Sequence, residues 1–154
     1  MWRRRPVGIT VLAVVIIAVV SLAWTYFSGP SSSDCAPVRE MLSFNKTQSD
    51  AMNAKTHIPE PGSGEKATEP SDLDYQNWAD GLADRAAKVS APELADQARA
   101  AAQTANRLIR ARIDFNAQKE AIAPGGPPPP VGMVVTSFYD QFQAEIGQLS
   151  KSCG

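Results

Sequence analysis

The side chains in this chain that are able to do chemistry are few and far apart. Cys35, Cys153, the single histidine His57 and the close carboxylate pairs Asp72 with Asp74 and Asp80 with Asp84 are the ones to weigh. Two cysteines in an oxidising compartment imply one disulfide. Joining Cys35 to Cys153 closes a loop of more than a hundred residues, which is worth roughly 4–5 kcal/mol in the chain-entropy treatment. A thiol oxidoreductase would instead hold its cysteines close together in sequence. His57 opens a proline- and glycine-rich stretch and has no evident partner to make it a base or a ligand. With no second histidine, no close cysteine pair and no HExxH spacing, no metal site is predicted. Each carboxylate pair falls within about one helix turn and reads as solvated surface. Gly125 and Gly126 lead into prolines and not into a phosphate-cradling helix. The sequence therefore predicts no catalytic residues, no bound cofactor and a protein that is not an enzyme.

These residues are placed by an N-terminal segment and one following domain. Val7 to Phe27 carries no charge, and twenty-one helical residues at about 1.5 Å each suffice to cross a hydrocarbon core of roughly 30 Å. Arg3, Arg4 and Arg5 precede it, which predicts a cytoplasmic N-terminus and an extracytoplasmic remainder at the plasma membrane. Trp2, Trp24 and Tyr26 fall at the two interfaces. Cleavage after Ser21-Leu22-Ala23 is the rival reading, but the apolar run is longer than a usual signal core and continues through Phe27. Cys35 follows Ser31-Ser32-Ser33-Asp34, which is not a lipoprotein box, and Pro6-Val7 does not fit a twin-arginine signal. The expected organisation is a basic stretch at 1–6, a transmembrane helix at 7–27, a Gly-Pro-Ser hinge at 28–33 and a helical domain at 34–154.

All sixteen acidic residues and twelve of the fifteen basic ones follow the run, so the external part carries a net charge of −4. That balance argues against nucleic acid or anionic lipid as its main partner. About 127 residues suffice for one modest core. Abundant alanine from Ala79 to Ala123 and the near absence of alternating β-branched runs point to helices. The fold class expected is all-α: one transmembrane helix, then a three- or four-helix bundle closed by the disulfide.

Asp34 can cap a first helix running to about Lys55, with Cys35, Val38, Met41 and Leu42 on its apolar face. Its later part, with Asn45, Gln48 and Asn53, is polar and expected to be poorly buried. Asn45-Lys46-Thr47 matches a glycosylation sequon, a motif that short strings produce by chance. Prolines 59, 61 and 70 with Gly62 and Gly64 make 56–70 a flexible loop. Ser71 with Asp74 forms a capping box, and Tyr75, Trp78, Leu82 and Ala86 line a second helix ending near Val89. Ser90-Ala91-Pro92-Glu93 reads as a further capping box for a third helix, from about Ala91 to Ala121. Its stripe of Leu94, Ala98, Ala101, Ala105, Leu108, Ile109 and Ile113 is small enough to bring helix axes close together. The Pro-rich stretch 124–130 reads as a stiff connector, with a ligand for a partner's aromatic groove as the alternative. Val135, Phe138, Phe142, Ile146, Leu149 and Cys153 give the last helix the most regular stripe. An up-down-up-down path would return Cys153 to Cys35.

Trp78 and Tyr139 are candidate anchors of a protein interface, with core as the competing role for each. Arg107 and Arg110, with Arg112, form the most basic patch, which reads as a solvated face with ion pairs, Asp114 and Glu120 lying near, and a phosphate or lipid-headgroup site is the alternative. The implied role is that of a non-enzymatic accessory, assembly or stabilising subunit of a larger envelope complex. The alternative is a module holding a lipid or other apolar ligand, which needs a cavity that the alanine-rich third helix argues against. The arginine-led anchor, Gly-Pro-Ser hinge and alanine-rich domain with two distant cysteines resemble single-span envelope proteins of actinobacteria, mycobacteria among them. That resemblance implies a periplasmic setting and a respiratory, secretion or cell-wall complex as partner, and carries over no site residues.

Overall fold

Among the described residues, four helices account for nearly all the regular structure: α1 (Cys35–Lys55), α2 (Asp72–Ala86), α3 (Pro92–Glu120) and α4 (Val131–Cys153). The computed structural model describes residues 31–60, 62–123 and 126–153. The predicted span at 7–27, with the 1–6 stretch and hinge residues 28–30, lies outside the described residues. Among the described residues no helix is long and apolar enough to cross a membrane. Ser32–Gly154 forms one compact unit, in which each helix packs on its sequence neighbours and α4 closes the ring on α1. Of the expected three- or four-helix bundle, the four-helix form is therefore the one present.

The start of each helix has a local cause. Ser71 accepts a hydrogen bond from the Asp74 N–H, and the Asp74 carboxylate accepts one from the Ser71 N–H, completing the box at α2. At α3 the expected box is absent. Ala91 is the N-cap and makes no side-chain cap, and Pro92 occupies the first turn, where its missing N–H costs nothing. Asp34 precedes α1 as expected, but no side-chain cap forms there. α2 ends at Ala86, short of Val89, although Val89 is still buried in the turn that follows.

The core follows the predicted stripes. Leu94, Ala98, Ala101, Ala105, Leu108 and Ile109 of α3 are buried, facing Trp78 and Leu82 of α2, Val38 and Met41 of α1, and Phe142 and Leu149 of α4. Each fully buried Leu or Met contributes on the order of 1.5–3 kcal/mol. A methyl group at Gly81 would collide with the Phe44 ring, which explains a glycine in mid-helix. The Arg85 guanidinium covers that same ring at 3.7 Å.

The two ends of the bundle are held differently. At one end Cys35 and Cys153 are joined, and Glu40 of α1 pairs with Arg85 and Lys88 beside the end of α2. At the other, here the distal end, Lys55 at the close of α1 pairs with Asp74 at the opening of α2 at 2.6 Å. The connection between α1 and α2 is tied to the fold there by hydrogen bonds. His57 and Thr68 exchange both backbone hydrogen bonds, Thr68 Oγ1 donates to the Lys55 carbonyl, and Gly62 and Gly64 supply the left-handed turn with φ of 88° and 74°.

α3 is 29 residues long and α2 only 15, so about 20 Å of α3 has no α2 beside it. The pinned connection fills part of that gap, with Pro70 buried and Glu69 reaching Arg112. The 126–130 stretch joins α3 to α4 with Pro129 buried, and the Pro129 and Pro130 carbonyls accept from the first N–H groups of α4.

Candidate functional site

A cleft of about 410 Å³ opens in the distal half, with walls from all four helices. Its cause is legible in α1. Only Cys35, Val38 and Met41 of that helix are buried, all in its first two turns. Beyond them come Asn45, Gln48, Ser49 and Asn53, which cannot fill an apolar interior. The distal halves of α1 and α4 therefore face each other across space, while the disulfide holds their other ends together.

The floor is apolar and aromatic. Trp78 and Phe142 meet edge to face with centroids 5.1 Å apart, and Leu108 and Ile109 of α3 lie beside them. Met52 of α1 and Val135 of α4 continue the apolar lining, and Ser49, Asn53, Thr136, Tyr139 and Gln143 supply neutral polar groups. The indole of Trp78 donates to Asn45 Oδ1 at 3.0 Å, so its one polar atom is satisfied inside the fold.

Arg112 is the only charged residue in the lining among the described residues. Its guanidinium stacks 4.3 Å from the centre of the Tyr75 ring and donates to Glu69 Oε2 at 2.6 Å. Its Nε is buried and has no hydrogen-bond partner among the described residues. Burial pushes the Tyr75 phenol up from its ordinary value, and the nearby Arg112 cation opposes that rise.

No protein-family model, curated protein or solved structure matches this chain.

Of the residues singled out from sequence, Cys35 and Cys153 are brought together as a disulfide with Cα atoms 5.2 Å apart. Trp78 is buried, so it is core and cleft floor and not an exposed anchor. Tyr139 is half-exposed on the cleft wall. Arg107 and Arg110 stand exposed on α3 outside the lining, and neither makes an ion pair among the described residues. The expected pairs with Asp114 and Glu120 are absent there as well. Arg112 pairs with Glu69 instead, a residue 43 positions away that helical spacing could not point to.

His57 has a partner after all, Glu65 at 3.1 Å, but both side chains are more than half exposed on the connection surface. Among the described residues no group of three His, Cys, Asp or Glu side chains is placed to hold a metal ion. Asp74 is committed to Ser71 and Lys55, and Asp80 and Asp84 are exposed on α2. The arrangement suits binding: a shaped apolar surface, a ring of neutral polar groups and one positioned cation.

Proposed function

We propose that this chain is a single-pass plasma-membrane protein, spanning at 7–27, whose extracytoplasmic helical unit docks on another envelope protein as an accessory or stabilising subunit. One observation carries the docking: Ile58, Leu73, Met133, Val134 and Tyr139, all the exposed large apolar side chains among the described residues, belong to the distal half. Ile58 and Met133 are 84% and 82% exposed. Single exposed apolar residues are ordinary, but their confinement to one half of a domain is a mark of an interaction surface. The Cys35–Cys153 disulfide supports an extracytoplasmic setting, since such bonds persist in oxidising compartments. The style of an arginine-led anchor with an alanine-rich domain points to an actinobacterial envelope complex, respiratory, secretory or of the cell wall.

The test is site-specific photo-crosslinking in native membranes, with a benzophenone amino acid placed at Ile58, at Met133, or at Asp96 near the disulfide end. The two distal positions should each yield one adduct with the same membrane protein, and Asp96 should not. Adducts from Asp96 alone, or none from either distal position, would overturn the docking end.

The cleft favours a second reading, in which the unit holds an apolar molecule between its helices. The alanine stripe argues for tight packing in the centre, and the space lies where that stripe gives way to Leu108, Ile109 and Arg112.

A further inference from the structure

We infer that the distal cleft is a binding site for a long-chain carboxylate, its alkyl chain lying on Trp78, Leu108 and Phe142 and its carboxylate held by Arg112. This rests on the second reading above and names its ligand. The volume of about 410 Å³ falls within the roughly 300–1,000 Å³ of small-molecule sites, and such sites occur between the helices of bundles. The apolar floor is continuous across three helices, which suits a chain more than a compact polar metabolite.

The head group follows from charge. Among the described residues Arg112 is the one charged residue lining the cleft, so the charge the lining itself offers suits an anion. Its guanidinium carbon lies over the Tyr75 ring, 4.3 Å from the centre, and a planar guanidinium is the group whose paired N–H donors match a carboxylate. Glu69 already occupies one donor, Nη2, while the buried Nε has no acceptor among the described residues. Glu69 comes from the connection and not from the cleft lining, and more than half of its side chain is exposed. Its carboxylate already pairs with the guanidinium, so it competes with a ligand carboxylate for Arg112. An exposed ion pair of that kind is weak and easily exchanged. Ser49, Thr136 and Tyr139 are neutral, so no other charge in the lining opposes an acid.

The test uses the full-length chain in purified membranes and palmitate bearing a diazirine near its chain end. Irradiation should give adducts on peptides of α1 and α4 that line the cleft, competed by excess palmitate and not by hexadecanol. Arg112→Gln should weaken labelling about 10-fold, the loss of one charge-assisted contact. Glu69→Gln should strengthen it roughly 2–5-fold by removing the competitor. Val135→Trp fills the cleft from the α4 side and should abolish labelling. Wild-type melting of each variant on thermal denaturation, with the disulfide intact, separates these effects from misfolding. Cleft labelling that hexadecanol competes equally, or that Arg112→Gln and Glu69→Gln leave unchanged, overturns the carboxylate and leaves the apolar-ligand reading standing. Absence of any cleft adduct from a folded protein overturns both.

Discussion

Trp78 on α2 reaches across to α1 and donates its indole N–H to Asn45 at 3.0 Å, the only polar atom of a side chain otherwise enclosed by the core. The bond fixes the ring at the head of the cleft and sets the depth of its floor. Trp78→Phe should destabilise the unit by about 1–2 kcal/mol, from lost packing and a stranded Asn45 amide. Asn45→Ala should cost about 1 kcal/mol, and the double variant should cost less than the two together. Urea unfolding of the four proteins measures the coupling, and strict additivity would show that the bond contributes nothing.

Breaking the disulfide should matter most to α1, which has few buried residues of its own. Cys153→Ser should lower the melting temperature by roughly 10–20 °C, given the long loop that the bond closes. Differential scanning with and without a reductant checks it, since the variant should be insensitive to the reductant and the parent should not.

Asp74 gives the stability a pH dependence at its acid end. Hydrogen bonds from Lys55 and then from Ser71 lower its pKa from 3.8 to about 2. A carboxylate whose pKa is depressed on folding stabilises above its unfolded value and loses that contribution as pH falls through the folded one. Stability should therefore fall between pH about 4 and about 2. In Asp74→Asn that part of the decline should disappear, as read from urea midpoints measured at each pH.

The alanine stripe should be intolerant of size. Ala98, Ala101 and Ala105 are fully buried in α3, so Ala101→Leu should overpack the bundle by about 1–3 kcal/mol. Chemical denaturation measures the cost, and a stabilised variant would show that α3 does not pack closely on its neighbours.

What could be read beforehand and what could not divides along the range of the interactions. α1 from Cys35 to Lys55, the Ser71–Asp74 box and the α3 stripe rest on residues three or four apart, and the chain shows them directly. Cys35 with Cys153 was also legible, because two cysteines leave one pairing. Ser90 misled because a capping box at Ser90 and a first-turn proline at Pro92 call for different N-caps, and Ala91 took the position. Trp78 could not be assigned to core or surface from spacing alone. The cleft was the least visible feature, since space between helices depends on which faces oppose one another. Its one sequence trace is the polar turn in α1 at Asn45, Gln48 and Asn53, which foretold poor burial but not what would stand across from it. Glu69 with Arg112 joins a connection to a helix across 43 positions, beyond the reach of any periodicity.

The bond between Cys35 and Cys153 makes the whole four-helix unit a covalent ring. A protease that cuts the 56–71 connection once would linearise that ring and release no fragment. The nicked protein would run as one band until reduced and as two afterwards. Tension applied to the chain ahead of Cys35 and behind Cys153 would pass through two sulfur atoms and leave the helices unloaded. The cleft would thus keep its shape under a pull that would unravel an open bundle.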